Sequence, residues 1–88
     1  MNDCRSVFIT RHGGPDVLEL RSTSISDPKE DEVLVEIKYS GINFADIMSR
    51  MGLYTTRLKP PYRLGMEIAG VVSKSGSEKN RTLVGRTV

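Results

Sequence analysis

The chain has 88 residues, of which 38% are hydrophobic and 27% charged, and its net charge of +2 arises from 13 basic and 11 acidic side chains. This length permits one small domain that buries about 60–65% of its unfolded surface. The low net charge does not favour nucleic acid as a partner. The sequence has no run of about 18 apolar residues that could span a membrane. The N-terminus lacks the apolar core of a signal peptide.

The single cysteine, Cys4, excludes an internal disulfide framework and is typical of a reducing compartment, so a cytoplasmic protein is predicted. Residues 1–4 are expected to form a flexible N-terminus in which Cys4 is an inert thiol. The only histidine, His12, lies in a predicted turn and has no second histidine to join it in a metal site.

A β-hairpin is predicted at the start of the domain. Residues 5–10 are β-rich, and apolar residues resume at 17–21. Between them, Gly13-Gly14-Pro15 is a strong turn signal. The polar residues 22–32 include Asp27-Pro28 and are predicted to form a loop.

The clearest strand is predicted over residues 33–39. Apolar residues alternate there with polar ones, which is the period of a half-buried strand. One face carries Val33, Val35, Ile37 and Tyr39.

The period changes after Gly41, where a short helix is predicted. Its apolar stripe has the spacing i, i+3, i+4 and i+7 and consists of Phe44, Ile47, Met48 and Met51. Asn43 precedes the stripe and is a suitable N-cap, and Gly52 follows it as a left-handed stop.

The last third of the chain is predicted to form a loop, a strand and the start of a further element. Residues 53–64 contain Pro60-Pro61 and three basic side chains and are predicted to be a loop. Residues 65–74 return to strand character, 75–80 form a polar turn, and 83–88 begin another element. We therefore expect a mainly β domain, a small antiparallel barrel or sandwich with one short helix, that is incomplete at its C-terminus.

Four side chains around the predicted helix could carry chemistry, and each also has a structural interpretation. Asn43 could bind a ligand or cap the helix, and Asp46 is favoured by the helix dipole in any case. Arg50 could pair with Asp46 along the helix surface, at a gain of only ~0.3–0.5 kcal/mol. Tyr54 could stack on a ligand, donate to it, or anchor its own loop.

Outside the helix, Glu67 is the one further candidate. It enters an apolar run, where a buried acid would need a cationic or hydroxyl partner. The chain contains no Gly-x-Gly-x-x-Gly sequence and no phosphate-binding loop, so it has no dinucleotide cradle of its own. One cysteine and one histidine cannot supply the three or four ligands of a zinc site.

Three segments together resemble the medium-chain dehydrogenase/reductase superfamily. Residues 41–46 (Gly-Ile-Asn-Phe-Ala-Asp), 50–54 (Arg-Met-Gly-Leu-Tyr) and 65–72 (Gly-Met-Glu-Ile-Ala-Gly-Val-Val) are similar to its N-terminal, GroES-like (alcohol dehydrogenase-like) catalytic domain. Residues 13–18 (Gly-Gly-Pro-Asp-Val-Leu) resemble the quinone oxidoreductase branch, and within it the motifs are most similar to the synaptic vesicle membrane protein VAT-1 group.

The resemblance implies a zinc-independent enzyme. In zinc-dependent members, metal ligands or similar residues stand where this chain has Asn43, Phe44 and Met66. Amide, phenyl and thioether groups do not form a normal zinc site.

The resemblance also assigns roles to the candidate residues. Zinc-independent members reduce quinones or activated alkenes with hydride from NADPH. Asn43 and Tyr54 match residues near the nicotinamide and are the implied catalytic pair. Asp46 and Glu67 match acids of the cofactor-binding cleft wall, and Arg50 matches a position in the substrate cleft.

The implied domain is a partial GroES-like catalytic domain over residues 5–88, and the Rossmann cofactor domain of the family is absent from this chain. We therefore expect the isolated chain to be inactive and to bind NADPH weakly, with a homodimer possible for a longer parent protein. Two alternatives stay open. One is a non-enzymatic domain that binds a partner or lipid surface through the basic loop 57–63, and the other is a chain without a stable fold.

Overall fold

The computed structural model describes residues 2–54 and 58–88. It confirms a mainly β architecture with one short helix in these residues. The elements in chain order are β1 (Asn2–Ile9), β2 (Leu18–Ile25), β3 (Val33–Gly41), α1 (Phe44–Met51), β4 (Tyr62–Arg63) and β5 (Glu67–Ser75), with short 3₁₀ turns at Pro15–Val17 and Arg81–Leu83.

The first sheet is antiparallel, with the strand order β2-β1-β4. The predicted hairpin is present, and its ladder extends from Asn2 opposite Ile25 to Ile9 opposite Leu18. Residues 2–4, assigned from the sequence to a flexible terminus, are therefore paired in β1. The prediction of a loop at 22–32 is wrong for residues 22–25, because pairing with β1 gives the backbone groups of these polar residues partners in a sheet.

Strand β4 was not predicted, since it lies in the segment expected to be a loop. Tyr62 pairs with Ile9 and Arg63 with Phe8, directly after the prolines. Proline lacks an amide proton, whereas Tyr62 and Arg63 each have one. Strand pairing can therefore begin directly after the prolines. Thr55, Thr56 and Arg57, in the same predicted loop, lie outside the described residues.

The second sheet pairs β3 with β5, which confirms both predicted strands. The pairing is antiparallel, from Val33 opposite Ser75 to Gly41 opposite Glu67, with two register shifts along β3. Residues 85–88 continue the sheet beyond β5. Gly70 and Val88 exchange two backbone hydrogen bonds of 2.9 Å each.

A carboxylate links the two sheets at one end. Asp27 accepts a hydrogen bond of 3.1 Å from the Asn2 side chain of β1 and lies 3.5 Å from the Lys74 ammonium of β5. The hydrogen bond from Asn2 and the charge of Lys74 lower the pKa of Asp27.

The fully buried core is small, and much apolar surface is exposed. Only Ile9, Val17 and Val72 are apolar residues classed as buried among the described residues, whereas Ile37 and Tyr39 are 56% and 77% exposed. The apolar face of β3 was expected to be half-buried, but its second half, Ile37 and Tyr39, is exposed to solvent. No helix in the described residues is long and apolar enough to cross a membrane.

The total surface is large for the mass. The accessible area is 6650 Å² for 9.8 kDa, whereas a compact monomer of that mass exposes roughly 5,200 Å². The radius of gyration is 14.8 Å, against about 12 Å for a compact domain of this length. The molecule is elongated, 42 Å by 23 Å by 22 Å.

Gly70 allows β3 and β5 to approach closely, and this predicts a strong effect of adding one methyl group. A Cβ at position 70 would clash with the backbone carbonyl of Glu36, which cannot move without breaking the ladder. We expect Gly70→Ala to lower the free energy of unfolding by about 1–3 kcal/mol. Urea denaturation measures this, with Ser22→Ala, at an exposed position of β2, as a control. Equal stability of Gly70→Ala and the parent chain would contradict the close approach.

Candidate functional site

The candidate site is the corner formed by residues 41–54, where β3 turns into α1. The structure confirms Asn43 as the residue before the helix, with extended backbone, followed by Phe44 as the first helical residue. The Asp46 carboxylate accepts a hydrogen bond of 2.8 Å from the backbone amide of Asn43, and the amide of Asp46 donates to the Asn43 carbonyl at 2.9 Å. Asp46 therefore fixes the backbone of Asn43 and occupies the first turn, where the helix dipole favours an acid.

Helix α1 has its polar face, not its apolar stripe, against the rest of the domain. Asp46 and Ser49 are only 4% and 5% exposed, whereas Phe44 of the predicted apolar stripe is 72% exposed. Ile47 and Met51 of the same stripe are also exposed. Met48 is half-buried, so the other three residues of the stripe are available to a ligand or another part of a protein.

A tyrosine from β4 holds the buried face of the helix. The Tyr62 hydroxyl donates to the Ser49 carbonyl at 2.9 Å and lies 3.0 Å from the Ser49 hydroxyl oxygen. The His12 ring stands edge-on to the Tyr62 ring, and its Nε2 lies 3.5 Å from the same hydroxyl. These contacts join the first loop, the helix and the short strand around one phenol.

Arg50 fixes the helix to the glycine turn. Its guanidinium donates to the Gly13 carbonyl at 3.1 Å, and the Gly13 amide donates to the Arg50 carbonyl at 3.0 Å. The possible ion pair with Asp46 is not formed in the described residues, because the guanidinium binds this carbonyl instead. Arg50 thus has a structural role, and its implied place in a substrate cleft stays a prediction.

The helix ends at Gly52, as predicted. The backbone of Gly52 is left-handed, with φ of 82°, and the Leu53 amide donates to the Met48 carbonyl at 2.8 Å. A Cβ at Gly52 would lie 2.9 Å from the His12 ring. Both the backbone conformation and the packing against His12 therefore require glycine.

Strand pairing brings Glu67 to the corner. Glu67 lies opposite Gly41 in the β3–β5 ladder, and its carboxylate occupies the space that a Cβ at Gly41 would need. The Glu67 carboxylate therefore lies beside Gly41, which is two residues before Asn43 in the chain. Glu67 is exposed, as is Asn43, so both can be reached by a ligand.

Tyr54 lies at the other end of the helix. It is 53% exposed and follows Gly52, whereas Asn43 precedes the first helical residue. Eight helical residues separate the two, a rise of about 12 Å. The structure thus brings Asn43, Asp46 and Glu67 together at one end of α1 and places Tyr54 at the opposite end.

One buried acceptor at the site lacks a partner. Oδ1 of Asp46 is inaccessible and has no hydrogen bond in the part of the chain that the structure describes. Leaving such a group unpaired costs about 1–3 kcal/mol. Because this oxygen is inaccessible, it is not among the groups that the site presents to a ligand.

Several residues that build the site were not singled out from the sequence. Ser49 and Tyr62 carry no motif, and their contact joins residues 13 positions apart. Gly13 was identified only as part of a turn. The basic loop contributes Arg63, whose guanidinium lies over the Phe8 ring and donates to Thr23 on the sheet.

Within the described residues, no cluster of three or more histidine, cysteine or acidic side chains is placed to hold a metal ion.

Comparison with known proteins places the chain in a family. Residues 29–88 match the family described as the alcohol dehydrogenase GroES-like domain. Quinone oxidoreductase 1 of Escherichia coli is 49% identical over 67 residues, which is 76% of this chain and 20% of that protein. The synaptic vesicle membrane protein VAT-1 homolog of Danio rerio is 39% identical over 85 residues, 96% of this chain and 18% of that protein.

A solved structure agrees with these sequence relatives. The crystal structure of Escherichia coli quinone oxidoreductase complexed with NADPH overlaps 96% of this chain with a TM-score of 0.86 and 40% identity, and the overlap covers 26% of that protein's chain. The chain spans about a fifth of the length of the two curated relatives.

The Tyr62–Ser49 contact predicts that the phenol hydroxyl stabilises the corner. Tyr62→Phe leaves the Ser49 carbonyl without this bond, so we expect the free energy of unfolding to fall by about 1–2 kcal/mol. Chemical denaturation measures the change. Tyr39→Phe, at a ring that is 77% exposed, is the matched control and should change stability little. Equal effects of the two substitutions would contradict the anchoring role of Tyr62.

Proposed function

Since the chain belongs to the alcohol dehydrogenase GroES-like domain family, in the quinone oxidoreductase branch of the medium-chain dehydrogenase/reductases, we propose that residues 5–88 are part of the catalytic domain of an NADPH-dependent reductase. The observation that carries this proposal is the exposed polar corner of α1, in a chain that closely overlaps a relative solved with NADPH. The substrates proposed for the complete enzyme are quinones or activated alkenes.

The corner fits the nicotinamide end of the cofactor. Nicotinamide is a flat ring with a carboxamide, and the corner offers the exposed Asn43 amide beside the exposed Phe44 ring. When bound, NADPH supplies the hydride, so the protein needs no nucleophile of its own. Its task is to orient the ring and to exclude water.

Asn43 is proposed to orient the carboxamide, because an amide can both donate and accept hydrogen bonds. Its backbone is already held by Asp46, which reduces the entropy that binding would cost. Glu67 forms the adjoining wall, where its carboxylate can accept from a hydroxyl or amide of the ligand.

Tyr54 is proposed to act on the substrate. Its phenol can donate to a quinone or enone carbonyl and so stabilise the negative charge that hydride addition creates there. Between Tyr54 and Asn43, the exposed apolar side of α1 suits a flat, largely apolar molecule. Arg50 contributes by fixing the helix to Gly13, and its position at a substrate cleft belongs to the same proposal.

We also propose that the site is zinc-independent. Asn43 and Met66 stand where the zinc-dependent relatives have ligands, and neither an amide nor a thioether replaces thiolate or imidazole on zinc. The complete enzyme is proposed to be cytoplasmic and able to form a homodimer. No observation favours the alternative of a partner- or lipid-binding basic loop, since Arg63 is engaged by Phe8 and Thr23, and Arg57 lies outside the described residues.

The proposed site predicts which half of the cofactor this chain contacts. In an NMR titration, reduced nicotinamide mononucleotide and NADPH should shift the same amides, those of Asn43, Tyr54 and Glu67. Adenosine 2′,5′-bisphosphate should shift none of them, because the chain has no pyrophosphate-binding motif. Asn43→Ala should weaken the binding measured by these shifts about tenfold, a loss of one hydrogen bond to the ligand.

Lys79→Ala, in the turn after β5, is the control substitution and should leave the titration unchanged. Shifts confined to the β1–β2 hairpin, or equal shifts with the adenosine compound, would contradict the proposed site.

A second expectation concerns turnover. The 88-residue chain mixed with NADPH and a small quinone should oxidise no NADPH above the rate in buffer, since it contains no motif that binds the rest of the cofactor. Absorbance of the reduced nicotinamide measures this. Rapid oxidation of NADPH by the chain alone would contradict the proposal that a separate cofactor domain must bind the rest of NADPH.

A further inference from the structure

The end of α1 that precedes Tyr54 is held by two aromatic side chains from outside the helix. Tyr62 lies on β4, and His12 lies in the loop after β1. The Tyr62 hydroxyl donates to the carbonyl of Ser49 at 2.9 Å. That carbonyl also accepts from the Gly52 amide at 3.1 Å, so one oxygen joins the end of the helix to β4.

His12 contacts the helix stop itself. A Cβ at Gly52 would lie 2.9 Å from two atoms of the His12 ring, so the glycine backbone packs directly against that ring. The ring also stands edge-on to Tyr62, with the ring centroids 6.2 Å apart. The backbone next to His12 is fixed as well, because the amide and the carbonyl of Gly13 both bond to Arg50. Tyr62 therefore reaches the helix stop by two routes, one through a hydrogen bond and one through His12.

Tyr62 is itself fixed to the first sheet. Its backbone pairs with Ile9, a residue with no exposed surface. Two residues later, the Leu64 amide donates to the Val7 carbonyl at 2.9 Å. A helix of eight residues is unstable by itself, and helix ends fray most readily. The phenol thus transmits the position of the sheet to the last turn of α1.

The other end of α1 is held differently. Asn43 and Asp46 are bonded to each other by contacts within the first helical turn, whereas the contacts of Tyr62 lie in the last turn. Asn43 and Tyr54 are separated by the eight residues of the helix, about 12 Å. Groups more than roughly 7–10 Å apart that share no partner behave independently. Loosening the Tyr54 end should therefore leave the Asn43 end unchanged.

We propose that Tyr62 and His12 are positioning residues, which hold Tyr54 where its phenol can donate to the substrate carbonyl. The proposal rests on the proposed function, in which Tyr54 acts on the substrate. Tyr54 follows Gly52 by two residues, so its place depends on where the helix ends. Without the two contacts, only a fraction of the molecules would present the phenol correctly, and the apparent affinity for a quinone would fall by that fraction.

The first measurement needs no ligand. In Tyr62→Phe the ring remains, but the bond to the Ser49 carbonyl is lost. We expect the NMR order parameter of the Tyr54 amide to fall toward about 0.6, the range of a flexible backbone, while that of Asn43 stays near about 0.85. Tyr39→Phe removes an equivalent hydroxyl from a ring that is 77% exposed and should change neither value. An unchanged order parameter for Tyr54 in Tyr62→Phe would overturn the proposal.

The second measurement separates the two ends of the site. The probes are reduced nicotinamide mononucleotide and duroquinone, a quinone with no free ring position to which a thiol could add. Tyr62→Phe should weaken the binding of duroquinone about fivefold. The binding of the nicotinamide probe, followed at Asn43 and Glu67, should stay unchanged. A role in stability alone would change both affinities equally or neither of them, and either result would overturn the proposal.

His12→Ala removes the second contact and keeps the Tyr62 hydroxyl. It should give the same selective loss at the Tyr54 end, and it decides the question if Tyr62→Phe does not fold. Equal effects of His12→Ala at both ends of the helix would contradict the proposal. Failure of the proposed function gives a different pattern, in which duroquinone shifts no amide near Tyr54 in the parent chain. The order parameters then still decide whether Tyr62 and His12 hold Tyr54.

Discussion

The hydrogen bonds that Tyr62 and Gly13 make to helix α1 are the constraint on which the functional corner depends. An isolated helix of eight residues is unstable in water, so α1 needs tertiary contacts to persist. Those contacts are made by Ser49 and Arg50 on its polar side, not by its apolar stripe. The helix is therefore oriented by specific donors and acceptors.

This orientation determines what the corner can bind. With the polar side occupied, Phe44 and its neighbours are turned outward, and the two ends of the helix present Asn43 and Tyr54. An exposed aromatic ring between polar groups is unfavourable in an isolated domain but suitable for a flat ligand with polar substituents. Gly41 adds to this arrangement, since the absence of a side chain there leaves room for the Glu67 carboxylate.

In the rest of the molecule too, hydrogen bonds between backbones contribute more to holding the strands together than the packing of a core does. Few apolar side chains are fully buried, while the ladders β1–β2 and β3–β5 run through eight or more residues each. Close backbone contact, as at Gly70, is essential to such ladders.

Local patterns in the sequence were sufficient for β3, for α1 with its cap at Asn43 and its stop at Gly52, and for the family, because periodicity, capping and motifs act over a few residues. The tertiary structure alone decided which side of α1 is buried, the existence of β4, and the position of Glu67 beside the corner. Each of these depends on pairing between residues far apart in the chain, such as Gly41 with Glu67 or Arg50 with Gly13. No local pattern encodes such contacts, since the energy of a strand edge or a buried hydroxyl depends on the partner that the fold brings to it.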